Sequence, residues 1–468
     1  MAGPTRAVSH QEKTLMAQKL TESLRRLAAA LPVPAAALGI LFSGPLPAAG
    51  EQVAFPGAAG WAASTPGGRG GEILRVTSLE ADGPGSLRAA LDHEGPRIVV
   101  FEVGGVIDLD RATLSVRHPY VTIAGQTAPS PGITVIRGGL DVATHDVVIR
   151  HLRLRPGEAG AAKGSDWGED SISTASARDL IVDHCSLTWA TDENLSASGP
   201  RFTGETPDDW RRGTSRRITF SHNIIAEGLA DSTHPKFEHS KGSLIHDNAS
   251  EILIYGNLYA HNYERNPQFK GGVRGVIVNN FIFNPGQRAV HYNLMALEWG
   301  DVPFETGKMT AVGNVMRAGI STEFPIAFMM LGGHGDLEYY ARDNIAVDRI
   351  GQPLPMLGRY ATGKARIIET DEPPIWWPGL EVLPADEVEE WVLKNAGARP
   401  WDRDGHDIRV LADTAEGRGT IIDSEADVGG YPDLPATRRA FNEADWHLET
   451  MMPKRPDVLD DSAKGRGT

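Results

Sequence analysis

The sequence predicts an all-β fold, a parallel β-helix, and three observations carry that expectation. Short β-branched or aliphatic runs recur along the chain, almost no segment has helical periodicity, and asparagine returns where successive runs end. The runs are 147–152, 180–185, 218–223 and 252–257, with weaker copies at 276–280 and 310–314 and a degenerate one ending at Asn344. Their spacing is irregular, roughly 24 to 38 residues, which is the range of solenoid repeats. In a solenoid the inward side chains of successive coils pile into aliphatic columns. Asn223, Asn257, Asn280, Asn314 and Asn344 are expected at one corner, in the left-handed backbone that asparagine tolerates. Their amides could bond coil to coil as a ladder. An all-β sandwich with coincidental Asn turns is the alternative, but a sandwich needs no recurring corner residue.

The elements follow in order. Arg25-Arg26 precede an apolar run from Leu27 to Phe42, and Ala48-Ala49-Gly50 follow. That order is expected of a signal peptide cut near Ala49. Pro32 and Pro34 interrupt the run, so a disordered leader is the other reading of residues 1–50. The catalytic β-helix is expected over 51–350. Gly57 to Gly71 is too rich in Gly, Ala and Pro for a regular element. Ser86 should N-cap a short capping helix over 87–91, followed by a buried strand from Ile98 to Phe101. Residues 351–468 read as an extension packed on the coils. It should hold a loop at Trp376-Trp377-Pro378, a helix from Ala385 to Ala396 closed by Gly397, and a frayed end after Pro453.

Composition narrows the partners. The chain has 46 Lys and Arg against 61 Asp and Glu, a formal charge of −15. That balance argues against nucleic acid and against an anionic membrane surface. After the leader no run of about 18 apolar residues follows, so no membrane span is expected. An acidic substrate remains possible where a local basic patch or a bound cation overrides the mean field. Cys185 is the one cysteine, so no intramolecular disulfide can form. Against this acidic background Arg265, Lys270 and, upstream, Lys241 gather three cations. Their expected task is to grip and deprotonate an acidic sugar, with a bridging metal held around Asp170 and Asp192.

At these residues the chain resembles the bacterial pectate lyases. Pro66-Gly67-Gly68-Arg69-Gly70-Gly71, Gly85-Ser86-Leu87-Arg88, Pro96-Arg97 and Gly125-Gln126-Thr127 resemble their N-terminal signature. Residues 181–186 resemble their calcium-site strand, His239-Ser240-Lys241-Gly242 their lysine segment, and Arg265-x-Pro-x-x-Lys270 their catalytic Arg-x-Pro-x-x-Arg segment. The resemblance spans about Gly57 to Asn344 and implies a right-handed parallel β-helix that performs calcium-assisted β-elimination on polygalacturonate. It also implies Asp170 and Asp192 as calcium ligands. Glu193, Asp166 and Glu169 are candidate helpers, directly or through water, and a solvated turn is the other reading of Asp166, Glu169 and Asp170. Where the family often has a further acid, this chain has Ser196. Asp183 and His184 are expected to support the coil.

The chemistry accounts for these residue types. Elimination removes the C5 proton beside a uronate carboxylate, and that proton is not acidic while the carboxylate stays anionic. A hard cation with Lys or Arg contacts spreads the charge, and Ca²⁺ takes several oxygen ligands in a flexible shell. Resemblance makes Arg265 the base, with Lys241 as runner-up; a guanidinium gives up its proton only where crowding by other cations disfavours the charge. Lys270 stands where the family has arginine and lacks the bidentate fork. Lys236, Arg274, Arg288 and His291 are candidate substrate-binding residues, with Tyr263 another possible sugar contact. Gly333-His334-Gly335 resembles a tripeptide of β-helix hydrolases. Those enzymes also need paired aspartates, and Asp208-Asp209 sits in a Pro/Trp/Arg loop instead, so the tripeptide reads as a turn. The expected protein is a monomeric, secreted or periplasmic lyase of pectate-like polyuronate. The alternatives are a lyase of another uronic-acid polymer and a β-helix that binds such sugars without cleaving them.

Overall fold

The computed structural model describes residues 52–236 and 238–459. The signal or leader reading of residues 1–50 lies outside them. Among the described residues three sheets wind around one core, with 11, 10 and 9 strands, parallel except for Thr437–Arg438, which pairs antiparallel at one edge of the 10-stranded sheet. They are called sheets A, B and C here, in the order in which the chain visits them in each coil. One full coil runs through Arg216–Ser221 in A, Ile224–Ala226 in B and Lys241–Ile245 in C. The next passes through Ser250–Tyr255, Leu258–Ala260 and Gln268–Lys270. This is the expected parallel β-helix.

The recurring runs are the strands of sheet A, and their inward residues form columns. Val147, Leu180, Ile218 and Ile252 lie in register, as do Ile149, Val182, Phe220, Ile254, Ile277 and Ala311, and all are buried in one core. The first column is interrupted at Gly275, where a Cβ would meet the Phe269 ring at 2.5 Å and the aromatic from sheet C fills the space, and it resumes at Met309 and Tyr339.

The asparagines form the ladder, but the bend is not theirs. Nδ2 of Asn223 donates to Oδ1 of Asn257 at 3.0 Å, and the relay continues to Asn280, Asn314 and Asn344 at 3.0, 2.9 and 2.9 Å. Each Oδ1 also accepts the preceding ladder asparagine's backbone N–H. The left-handed residue is the one before: His222, Gly256, Asn279, Gly313 and Asp343, with φ between 52° and 66°. Turning the chain one residue early leaves the asparagine side chain directed along the stack, where buried backbone groups need partners. Further up the corner His151, His184 and His222 take the same left-handed position and their rings pile at 5.2 and 4.7 Å.

Both ends of the chain cover the coils. Ser86 caps the short helix Leu87–Leu91 by accepting from the N–H of Ala89, and Leu87 and Leu91 enter the core. Ala59 and Trp61, with Ile375, Trp376, Leu380 and Val382, pack on Leu253, Val276, Val278 and Val312 of sheet A. The helices Ala385–Asn395 and Gly405–Ala415 lay Val388, Val392 and Val410 across Ile224, Leu258, Phe281 and Phe283 of sheet B. Beneath them Arg155 reaches Asp404 at 2.7 Å and Asp407 at 3.0 Å, and Arg153 reaches Asp407 at 3.3 Å, all four side chains being buried. Two details differ from expectation. Strands Leu357–Arg359 and Ile367–Glu369 extend the coils past residue 350. Order also continues past Pro453, because Val458 is buried with Phe441 and Trp446.

Asn257→Ala removes the acceptor of two bonds from Asn223 and the donor to Phe220 O and Asn280. Leaving several buried groups unpaired should cost about 3 kcal/mol in urea unfolding, and Asn344→Ala, at the end of the ladder, clearly less.

Candidate active site

The acids come from sheet C. Asp170 lies just before strand Ile172–Thr174, and Asp192 just before Glu193–Ala197; Ile172 pairs with Leu195, so these two strands start side by side. Asp170 accepts the backbone N–H of Glu193 at 2.8 Å and the hydroxyl of Ser196 at 2.7 Å. Ser196, where a further acid was the family pattern, thus orients Asp170. Ligating atoms of Asp170, Asp192 and Glu193 lie within 4.8 Å of one another. Glu169 lines the same cleft but is a brace, accepting from Thr113 at 2.6 Å and from the N–H of Gly139 at 2.9 Å. Asp166 does not join the cluster. It sits exposed on the preceding loop in left-handed backbone, where its charge reaches His234 instead.

Two histidines that sequence reasoning did not single out complete the acid side. His239 Nε2 donates to Asp192 Oδ1 at 2.6 Å, and His234 Nε2 lies 3.9 Å from Oδ2. Their rings stack at 3.8 Å. The spacing of two histidines around Lys236 was the available signal. Burial works against the charge of Asp192, but the His239 hydrogen bond and the charges of His239, His234 and Arg265 outweigh it and hold this carboxyl below its usual range. Asp170 goes the other way. Burial and then the Asp192 charge push it well above the carboxylate range, against the Ser196 hydrogen bond. An oxygen-seeking cation between the two acids would favour the charged form of Asp170.

The cations come from the next coils. Glu193 pairs in register with Lys241, and Lys241 bridges in turn to Glu264. The Arg265 guanidinium, with its backbone at φ 61°, forms an ion pair with Glu193, and its Nε lies 3.9 Å from Glu264. Lys241 Nζ donates to Glu264 Oε1 at 2.5 Å, and Arg288 holds the other oxygen. A connected row results: Asp170 beside Glu193, Arg265 between Glu193 and Glu264, and Lys241 and Arg288 both on Glu264. Burial, followed by the Arg288 charge, pushes the Lys241 ammonium down to about 7, while the touching Glu264 carboxylate favours its charged form. Burial also lowers Arg265, opposed by Asp192 and Asp170. The expectation that neighbouring cations crowd Arg265 is therefore not met; acids surround it.

The remaining candidates divide. Arg288 lies over the Tyr360 ring at 4.4 Å. His291 is buried against the same ring, and burial holds it well below the ordinary imidazole range. Lys236 is exposed beside the two histidines, its N–H donating to His234 at 3.1 Å. Tyr263 lies 5.8 Å from Lys241 Nζ. Lys270 does not converge with Arg265 and Lys241. It is tied to Glu298 and to Asp247, which Arg201 also holds. Arg274 stands at the head of a sheet A strand, in a separate cleft. Asp183 accepts from Arg150 at 2.8 Å and Ser221 at 2.8 Å and contacts His184 and His222, the expected support of the coil. His334 follows Gly333, whose φ of 73° makes the tight turn at the end of strand Met329–Gly333. Asp208 and Asp209 open a short helix, Pro207–Gly213, rather than lying in an irregular loop.

No family model matches the chain. Individual relatives do. It is 34% identical over 390 residues to "Probable pectate lyase C" of Emericella nidulans, covering 82% of this chain and 81% of that one. It is 38% identical over 389 residues to the protein of the same name from Aspergillus fumigatus, covering 81% of both. Among solved structures, that of Jun a 1, the major allergen from cedar pollen, shares the fold at a TM-score of 0.52 and 17% identity, over 73% of this chain and 92% of that one. With a third or more of its residues shared along four fifths of such relatives, this chain belongs to the pectate lyase family of polysaccharide lyases.

Proposed function

We propose that the protein cleaves polygalacturonate by β-elimination, with Ca²⁺ held between the substrate and Asp170, Asp192 and Glu193. The observation that carries this reading is the continuity of the row, in which the acid cluster runs through Glu193 directly onto Arg265 and then, through Glu264, onto Lys241. The donor set is all oxygen, and the raised Asp170 fits a cation that offsets two neighbouring acids. Bound there, Ca²⁺ would withdraw electron density from the uronate carboxylate and make the C5 proton more acidic.

Arg265 takes that C5 proton. The C5–H electrons form the C4–C5 double bond, the C4–O bond breaks toward the leaving sugar, and that oxygen takes a proton from water. Glu193 is the control on Arg265. While it pairs with the guanidinium it stabilises the charge, and once it turns to a cation that support is gone. Lys241 and Arg288, held in place by Glu264, meet the substrate carboxylates. Lys241 is the second reading for the base, favoured by its descent to about 7. We also place the protein outside the cytoplasm, acting as a monomer. Separately, no helix among the described residues is long and apolar enough to cross a membrane.

Purified protein incubated with polygalacturonate should raise the ultraviolet absorbance of an unsaturated product. Chelator should abolish the rise and added Ca²⁺ restore it. Ca²⁺ alone should raise the melting temperature of the wild type but not of Asp170→Asn. Reducing ends without absorbance would mean hydrolysis, binding without shortening a silent β-helix, and turnover of a different uronate only another polymer. Arg265→Ala should stay folded and lose about 100-fold or more in kcat.

The pH profile separates the two bases. A base works deprotonated, so a Lys241 base gives kcat/KM that rises from acid pH and levels off just above about 7. An Arg265 base leaves the rate climbing through the alkaline range. Lys241→Arg should then keep the shape of the profile, whereas with Lys241 as base it should move the rise to higher pH.

A further inference from the structure

A second cationic cleft lies round the corner from the acid cluster, at the heads of the sheet A strands. It encloses about 460 Å³ and is lined by Arg211, Arg216, Arg274, Lys308, Trp61 and Trp376, among others. Arg274 pairs in register with Lys308, and Arg216 heads the strand two coils earlier. Strands stack at about 4.8 Å, so these cations line the solenoid axis rather than one point. The lining holds four arginines and a lysine against Asp208 and Glu251, in a chain whose formal charge is −15.

Part of this charge is already matched. Arg211 reaches Asp208 at 3.3 Å and Glu305 at 2.6 Å, Arg212 is paired with Asp209, and Lys308 lies 3.0 Å from Glu338. Arg216 and Arg274 are different. Among the described residues neither makes an ion pair, and the Nε of each is buried without a hydrogen-bond partner. Burial and the facing Arg211 charge work against the charge of Arg274, while Asp208, Glu305 and Glu251 favour it from beyond ion-pair distance. Two half-buried guanidiniums without an ion-pair partner are costly for a fold that needs only a surface there.

The walls are built to stay open. Trp61 is anchored through its neighbour Ala59, whose carbonyl accepts from Thr219 at 2.8 Å. Trp376 is anchored through Ile375, whose carbonyl accepts from Thr310 at 2.7 Å. The covers of sheet A thus place two indoles in the lining beside a row of forked donors. Planar donors match carboxylates, and indole faces suit the C–H face of a sugar ring.

We infer that this cleft is a second binding site for an anionic saccharide, a uronate oligomer whose carboxylates meet Arg216 and Arg274 while a ring lies against Trp61. The site is separate from the lyase centre and needs no metal. The choice of a galacturonate probe rests on the lyase reading; binding at the cleft does not.

The test uses full-length protein carrying Arg265→Ala, to suppress turnover, with tetragalacturonate titrated in excess chelator and followed by calorimetry. Saturable binding is expected, and R216Q/R274Q should weaken it by about tenfold or more. Lys308→Gln, which touches no buried group, should weaken it in the same direction. Inorganic phosphate at equal concentration should fail to displace the oligomer. In the otherwise wild-type protein R216Q/R274Q should leave the calcium-dependent rate on a short oligomer unchanged. Chelator-insensitive binding that is absent, or that survives R216Q/R274Q and Lys308→Gln, overturns the inference, as does equal displacement by phosphate. Failure of the lyase reading would show separately, as binding without an unsaturated product.

Discussion

Register between successive coils is the constraint on which everything else rests. In a parallel stack a slip of one residue carries every inward side chain to the outside. The asparagine relay opposes such slips, because each amide bonds the next one and the backbone beside it within a dry corner. Across the barrel the same register puts Glu193 beside Lys241 and sets Asp170 and Asp192 at the starts of neighbouring strands. The chemistry of sheet C is thus positioned by hydrogen bonds at the A–B corner, far from any reacting atom.

Given that register, charge alternation organises the site. Isolated buried cations would be expelled or neutralised, and buried acids likewise. Interleaved, they hold one another at the surface of the coil: Glu193 with Arg265, Glu264 with Lys241 and Arg288. The arrangement is self-satisfied yet exchangeable. A substrate carboxylate can replace Glu264 as a partner of the cations, and a metal can replace Arg265 as a partner of Glu193. Lys270, by contrast, is committed to Asp247 and Glu298.

The architecture was largely legible in the chain. The recurring β-branched runs are the sheet A strands, and the asparagines at their ends do bond in a ladder. Periodicity does not say which residue of a corner takes the left-handed backbone, and histidine, glycine and aspartate share that place one position earlier. Within the site, neighbours in sequence were the misleading ones. Asp166 is four residues from Asp170 yet outside its cluster, and Arg274 is four residues from Lys270 yet on another sheet, because the coil turns between them. For His234 the histidine pair around Lys236 was a signal without an address, because only the fold of its loop brings it over Asp192. The second cleft was invisible for a related reason: its walls come from both ends of the chain.

The buried quartet of Arg153 and Arg155 with Asp404 and Asp407 ties an early coil to residues some 250 positions later. The carboxyl-terminal helices also cover the apolar outer side of sheet B. Without them two guanidiniums would lose their carboxylates and an apolar sheet face would meet water. The carboxyl-terminal segment is thus a clasp on the solenoid, and clipping it off would expose charge and grease together.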